Sequence, residues 1–302
     1  MIEKTKNPVN VAAMIISWSA FYIISKWSVD LLGSAYLSGF LMRISTFFVL
    51  TIFLLAKREF SLLFKAGKVT FILLAIGIIG FSIDFFANTG FRFSNVSTGT
   101  ILLKTDVLMV NVISALFLKE KLHFSDHVAS LIMLVGVALT LGVKISDISI
   151  NPYDVMFVLS AVGLTANAFI IKYTQERFGI KGEVIAYYNN LVTFMVFGAI
   201  TFLSGDFAIV KNAEFDFVTA LLFFVGGLGE ALNCIFYYKN LTAYPVWQIK
   251  LYLLFVPIIS AFFGIFVFGE TIDAGKAIGI LLVLLGAVLI VLRDKITTKK
   301  CN

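Results

Sequence analysis

Windows of about 20 apolar residues follow one another along almost the whole chain of 302 residues, separated by short polar stretches. A helix of that length crosses the hydrocarbon core of a bilayer, which is about 30 Å thick. Only 14% of the residues are charged, against about a quarter in an ordinary globular domain. The sequence therefore predicts an all-α integral membrane protein without a soluble domain of useful size.

Ten transmembrane helices are predicted. They cover about residues 11–30, 35–56, 69–90, 96–118, 125–143, 153–173, 183–204, 216–238, 244–268 and 274–292, each boundary being approximate by a few residues. Basic residues concentrate in alternate connections, beginning with Lys4 and Lys6. By the positive-inside rule both termini are expected in the cytoplasm. We therefore expect a multi-pass protein of the cell membrane, in contact with the lipid bilayer and not with nucleic acid.

An internal repeat relates the two halves of the chain. Residues 11–118 match residues 157–264 at a constant offset of 146, and three charges inside apolar spans coincide at that offset. These charged pairs are Lys26 with Lys172, Asp84 with Glu230, and Lys104 with Lys250. We interpret residues 1–146 and 147–302 as two five-helix repeats. An odd number of spans inverts one repeat relative to the other, an arrangement typical of secondary transporters.

Four segments of the chain are similar to those of a known family. They are SWSAFYIISKW (17–27), FLMRISTF (40–47), VNVISALFLKEKLHFSDHVASLIMLVGVALTL (110–141) and VPIISAFFGIFVFGETIDAGKAIGILLVLLGAVLIVL (256–292). With the layout of the spans, they resemble the EamA family of the drug/metabolite transporter superfamily. The resemblance implies ten helices in two halves and a transport function. It also matches Arg43 to that family's second-span arginine, for which a structural role is expected.

Acidic residues within the spans are the first candidates for a site. An ionisable side chain near the bilayer centre is costly, so it normally faces the bundle interior or a water-filled cavity. Asp84 shares a helix face with Asn88, and Asn233 lies one turn after Glu230. These carboxylates are predicted to bind a cationic group of the substrate or to take up protons. The alternative is that each carboxylate pairs with a lysine across the bundle.

Lys104 and Lys250 are predicted to bind an anionic group, a carboxylate or a phosphate, as point charges. The alternative is neutralisation inside the protein by Asp84, Asp106 or Glu230. Asp106 follows Lys104 by two residues, which is about 200° around a helix. These two side chains therefore cannot pair with each other, and Asp106 is expected to face a third helix or a water-filled vestibule.

Aromatic residues accompany polar groups at two further places. Lys26 shares a helix face with Tyr22, which is compatible with an aromatic and basic lining. A second set combines aromatic rings with amides and is a candidate for cation–π binding of a planar or quaternary ammonium group. Its members are Tyr187, Tyr188, Asn189, Asn190 and Trp247. The alternative for these residues is an aromatic belt at the membrane interface.

The ninth span contains Pro257, and a four-residue insertion relative to the first half accompanies it. Because proline kinks a helix, this span is the best candidate for a bending, gating element. The glycines of GKAIG (275–279) suit close helix packing, either within the chain or on the face of a homodimer.

No catalytic motif, metal site or cofactor-binding loop is recognised in the sequence. The leading hypothesis is therefore a secondary transporter that moves a small polar or charged organic metabolite, such as an amino acid, by alternating access, with proton coupling as an option. A flippase or exchanger for a phosphorylated or lipid-linked substrate is the alternative. An integral-membrane enzyme or sensor is disfavoured by the inverted repeat.

Overall fold

The computed structural model describes residues 6–93, 102–116, 124–142, 151–212, 217–259, 262 and 274–299. Every regular element within these ranges is helical. The α-helices are α1 (Pro8–Leu32), α2 (Ala35–Ala56), α3 (Thr70–Phe93), α4 (Asp106–Leu116), α5 (Phe124–Thr140), α6 (Asp154–Phe178), α7 (Gly182–Ser204), α8 (Phe207–Asn212), α9 (Phe217–Ala243), α10 (Val246–Tyr252) and α11 (Ala274–Lys299). Short 3-10 segments lie at Phe60–Lys65, Gly67–Val69 and Leu253–Phe255.

Six helices in the described part of the chain are long and apolar enough to cross a membrane. They correspond to the first, second, third, sixth, seventh and eighth predicted spans. Shorter apolar helices, at Phe124–Thr140, Val246–Ile259 and Ala274–Leu289, occupy the fifth, ninth and tenth. The all-helical membrane architecture is therefore confirmed. Residues 94–101 of the fourth predicted span lie outside the described residues, and the count of ten helices and the inversion of the repeats stay predictions.

The distribution of apolar and polar side chains also suits a lipid environment. The large apolar side chains of Ile52, Phe71 and Leu203 are 65%, 78% and 82% exposed, whereas Thr46 and Asn111 are buried. Apolar surface exposed on this scale is unfavourable in water and favourable against lipid tails. The helices therefore present apolar faces outward and keep polar groups inside.

Local sequence fixes the ends of individual helices. At the start of α2, the Ser34 hydroxyl accepts a hydrogen bond from the Leu37 amide at 3.1 Å, which satisfies one of the otherwise unpaired amides of the first turn. At the end of α7, Gly205 adopts a φ of 77°, a left-handed conformation that glycine tolerates without strain. These signals end the helices at short connections.

A first compact unit comprises residues Met1–Asp84 and Ala166–Tyr244. In it, α9 packs against α1, α2 and α7. Gly227 lets α9 approach the α2 backbone, because a Cβ atom at this position would overlap Ser45. The Thr46 hydroxyl donates to the Gly227 carbonyl at 3.1 Å. This contact brings Arg43 and Glu230, each about one turn away along its own helix, close to each other.

The second compact unit comprises residues Phe85–Thr165 and Pro245–Asn302. There α11 packs along α5, and α10 packs against α4. A Cβ atom at Gly279 would overlap the Thr140 amide and the Gly136 carbonyl. Gly279 of the GKAIG segment therefore supports helix packing within the chain. The homodimer stays a prediction.

The predicted ninth span is irregular next to its proline. Helix α10 ends at Tyr252, a 3-10 turn covers Leu253–Phe255, and helical structure resumes at residues 256–259. Pro257 has no amide hydrogen, so it cannot donate to the Leu253 carbonyl. The Val256 amide donates to that carbonyl instead, which tightens the turn. The role of this segment as a gate stays a prediction.

Candidate functional site

In the first unit, one arginine connects the two acidic residues that the repeat relates. The guanidinium of Arg43, on α2, donates from Nη1 to Glu230 Oε1 at 2.7 Å and from Nη2 to Asp84 Oδ2 at 3.3 Å. Glu230 lies on α9 and Asp84 on α3. The planar guanidinium suits this geometry because its donors are held in a fixed fork. We call Arg43, Asp84 and Glu230 the acidic triad.

The two carboxylates of the acidic triad have different surroundings. Glu230 also accepts a hydrogen bond from Asn233 Nδ2 at 3.2 Å and one from Cys234 Sγ at 3.6 Å. Its side chain is 9% exposed, while that of Asp84 is 38% exposed. Among the described residues, Arg43 is the one hydrogen-bond donor to Asp84. Glu230 is thus the well-stabilised, buried carboxylate, and Asp84 is the weakly held, accessible one.

Helix α7 closes the acidic triad with amide side chains. The Asn190 side chain donates from Nδ2 to the Arg43 carbonyl at 3.2 Å. The neighbouring Asn189 donates from its side-chain amide to the Tyr238 hydroxyl at 2.7 Å. A Cβ atom at Gly80 would overlap the Asn189 amide oxygen. Glycine at position 80 therefore allows α3 to pack tightly against Asn189.

In the second unit, Lys250 and Asp106 form a buried ion pair. Lys250 Nζ lies 2.8 Å from Asp106 Oδ2, and the two side chains are 3% and 8% exposed. Lys250 Nζ also donates to the Leu164 carbonyl at 3.4 Å. Asp106 stands in the first turn of α4 and Lys250 in the last turn of α10. Each charge is therefore opposite in sign to the helix-dipole end next to it, which stabilises both.

Lys104 lies at a break in the helical structure. Residues 102–104 are helical, Thr105 forms a turn, and α4 begins at Asp106. The Thr105 hydroxyl donates to the Leu102 carbonyl at 2.6 Å. Lys104 is half-buried and within electrostatic range of both Asp106 and Lys250. It makes no hydrogen bond or ion pair with any residue that the structure describes. We call Lys104, Asp106 and Lys250 the basic cluster.

In the acidic triad and in the basic cluster alike, two equivalent charges of one sign accompany a single opposite charge that the repeat does not duplicate. At the offset of 146, the acids Asp84 and Glu230 are equivalent, and they share one arginine whose own equivalent is Asn189. The lysines 104 and 250 are likewise equivalent, and the one acid of the cluster, Asp106, pairs with Lys250 and corresponds to the uncharged Tyr252. With all groups ionised, the acidic triad has one surplus negative charge and the basic cluster one surplus positive charge.

A comparison with models of protein families identifies the family of this chain. The profile of the EamA-like transporter family matches residues 9–142 and, a second time, residues 151–292. The chain belongs to the EamA-like transporter family. The resemblance recognised in the sequence is thereby confirmed. The acidic triad and the basic cluster therefore belong to a member of a transporter family.

A solved crystal structure has the same fold as this EamA-like protein. The TM-score is 0.73 at 15% sequence identity, and the match covers 94% of this chain and 99% of the other. At this identity the similarity shows the fold alone. A comparison with curated proteins finds no match.

The other predicted site residues of this EamA-like protein have separate contacts. The Tyr187 ring packs against Phe47, with ring centroids 5.1 Å apart, and the Tyr188 hydroxyl donates to the Leu63 carbonyl at 2.9 Å. Trp247 is buried and belongs to the second unit. The side chains of three predicted residues lie outside the described part of the structure, namely Tyr22, Lys26 and Asn88.

Arg43 is the residue whose contacts the sequence did not predict. A structural role was predicted for Arg43, and Asp84 and Glu230 were predicted to bind a cationic group or protons, with lysines across the bundle as the alternative partners. In the structure both carboxylates pair with this arginine. The signal was available, since Arg43 is an intramembrane charge without a charged equivalent in the second repeat. Two equivalent acids and one unmatched base already indicate a shared counter-ion.

Proposed function

We propose that this EamA-like protein is a secondary transporter of a small polar or charged organic metabolite, working by alternating access across the cytoplasmic membrane. Lys104 is the observation that carries the proposal. Its half-buried charge has no counter-ion among the described residues, and a buried charge without a partner is unstable. An anionic group of a substrate supplies the missing partner.

The helix break at Thr105 supports a ligand-binding role for this segment. Discontinuous helices at membrane depth are typical of substrate and ion sites in secondary transporters, because their freed backbone groups and helix ends face a cavity. The first turn of α4 adds amide donors beside Lys104. The 3-10 turn that follows α10 adds a second interruption near Lys250.

A carboxylate is the anionic group we propose, and an amino acid is the substrate class that combines it with small size and polarity. Lysine binds a carboxylate or a phosphate as a point charge, so the charge of Lys104 alone also accommodates a phosphorylated compound. The transport experiment therefore compares both classes.

The test is uptake into proteoliposomes that contain the purified protein, with radiolabelled amino acids and sugar phosphates as separate probes. We expect uptake of amino acids that is lost in Lys104→Met and retained at least in part in Lys104→Arg. Lys57→Met is the matched control, because Lys57 forms an exposed pair with Glu183 at 3.0 Å. Uptake of sugar phosphates alone would move the substrate to the phosphorylated class. Normal uptake by Lys104→Met would contradict the site.

A further inference from the structure

The acidic triad holds two carboxylates against one guanidinium inside an apolar helix bundle. Arg43 is 12% exposed and Glu230 is 9% exposed, while Asp84 is 38% exposed, so the surplus negative charge lies partly enclosed among the helices. A surplus charge in such surroundings costs several kcal/mol unless a counter-charge or a proton neutralises it. The triad therefore requires one further positive charge.

Asp84 is the carboxylate that the triad holds less firmly. Arg43 approaches Glu230 more closely than Asp84, by 2.7 Å against 3.3 Å, and Glu230 has two further donors in Asn233 and Cys234. Hydrogen bonds donated to a carboxylate favour its ionised form. Glu230 therefore has the more complete set of partners, and Asp84 is the carboxylate left open to a proton.

Unpartnered acceptors surround the triad as well. The amide oxygens of Asn190 and Asn233 are buried and have no hydrogen-bond partner in the described part of the chain, although the amide nitrogens of both residues bind triad members. A buried acceptor without a donor is unfavourable. A protonated carboxyl group or water supplies a donor that an ionised carboxylate lacks.

Among the side chains that the structure describes, no other titratable group near Asp84 offers the missing charge. In the first unit, Arg43 from α2 and Glu230 from α9 lie within electrostatic range of Asp84. Cys234 and Tyr238 of α9 lie beside Glu230, and α7 contributes the neutral amides Asn189 and Asn190. Lys26 lies on α1 with its side chain outside the described residues. Among the described side chains, Arg43 is the one base of this cluster, and Glu230 already uses it.

We propose that Asp84 is a proton-binding site whose occupancy switches the Arg43 bridge. The carboxylate takes a proton from hydronium, an O–H bond forms at Asp84 and water is released. The charge of the triad changes from −1 to zero, and Arg43 then pairs with Glu230 alone. The Asp84 side chain is 38% exposed, so it is the least enclosed member of the triad. The coupling of this step to substrate movement rests on the transport function proposed above, whereas proton binding itself does not.

Labelling with dicyclohexylcarbodiimide tests the proposal on the unmodified protein, because this reagent attacks protonated carboxyl groups in apolar surroundings. The purified protein is treated at a series of pH values, and the adducts are located by mass spectrometry. We expect the adduct on Asp84 to increase several-fold as the pH falls, with little on Glu230. An adduct confined to Glu230, or none on either residue, would overturn the proposal.

Infrared difference spectroscopy supplies the matched measurement. Acidification of the wild-type protein should produce a C=O stretching band of a protonated carboxyl group. The band should be lost in Asp84→Asn and retained in Glu230→Gln. Retention of the band in Asp84→Asn would overturn the assignment. A pH titration of the band that shifts when sodium replaces potassium would also overturn it, because the site would then bind a metal cation. Should Asp84→Asn fail to fold, Asp84→Glu, which keeps the group, should titrate at a shifted pH. The same midpoint as in wild type would then overturn the proposal.

Neither measurement uses a substrate, so their outcome is separate from that of the transport assay. A protein that binds the proton at Asp84 and transports no amino acid would retain this inference and contradict the proposed function. Amino-acid transport by a protein in which Asp84 shows neither adduct nor band would support the proposed function and overturn this inference.

Discussion

Lys250 Nζ lies 2.8 Å from Asp106 Oδ2, and this buried pair joins the last turn of α10 to the first turn of α4. The lysine has an equivalent lysine in Lys104, whereas the equivalent of the aspartate is the uncharged Tyr252. One lysine of the repeated pair is therefore neutralised within the protein while the other is left without a counter-ion among the described residues. A duplicated position thus acquires two roles through a single acidic residue.

Removing one member of this pair should destabilise the protein more than removing both. Asp106→Asn leaves the Lys250 charge buried, and Lys250→Met leaves the Asp106 charge buried. Each single variant is expected to lose about 3–5 kcal/mol, while the double variant should lose much less. Unfolding in detergent, followed by circular dichroism, measures the difference. A double variant less stable than both singles would contradict a charge-pair origin of the effect.

The sequence predicted the helical membrane architecture because apolar windows of about 20 residues report directly on a bilayer. It also predicted Asp84, Glu230, Lys104 and Lys250 as a related set, since their spacing repeats along the chain. It could not predict which opposite charges meet, because that depends on helix contacts such as that of Gly227 with α2. The helix break at Thr105 is similarly a tertiary feature, because residues 101–117 contain no proline or glycine that would predict it.

Arg43 should not be replaceable by lysine. The guanidinium reaches two carboxylates at once, whereas an ammonium is a compact point charge that cannot present the same fork. Arg43→Gln leaves the buried Glu230 and the half-buried Asp84 without this cation and should cost several kcal/mol. Arg43→Lys should restore about half of that loss. Thermal unfolding of the three proteins provides the ranking. In a double-mutant cycle, Glu230→Gln should lessen the effect of Arg43→Gln, and strict additivity would show that the two residues do not interact.

Two glycines on α9 should respond oppositely to alanine. At Gly227 a Cβ atom would overlap Ser45 and the α2 backbone, and at Gly229 it would lie 3.6 Å from Phe21, in ordinary contact. Gly227→Ala should therefore destabilise the protein by about 1–3 kcal/mol. Gly229→Ala should be neutral or stabilising by up to about 1 kcal/mol, because alanine favours the helix. Equal unfolding temperatures for the two variants would contradict the close approach of α2 and α9.

A carboxylate at position 252 should neutralise Lys104. Tyr252 is the equivalent of Asp106, so a duplicated geometry places Tyr252→Glu next to Lys104, as Asp106 lies next to Lys250. The reaction of Lys104 with acetic anhydride, followed by mass spectrometry, reports the change, because an ion-paired lysine reacts more slowly. We expect a several-fold decrease in Tyr252→Glu. Tyr252→Phe is the control, since it removes only the hydroxyl that accepts from Gln248 at 2.8 Å, and should leave the rate unchanged. An unchanged rate in Tyr252→Glu would mean that the repeated sequence does not reproduce the geometry of the Lys250–Asp106 pair.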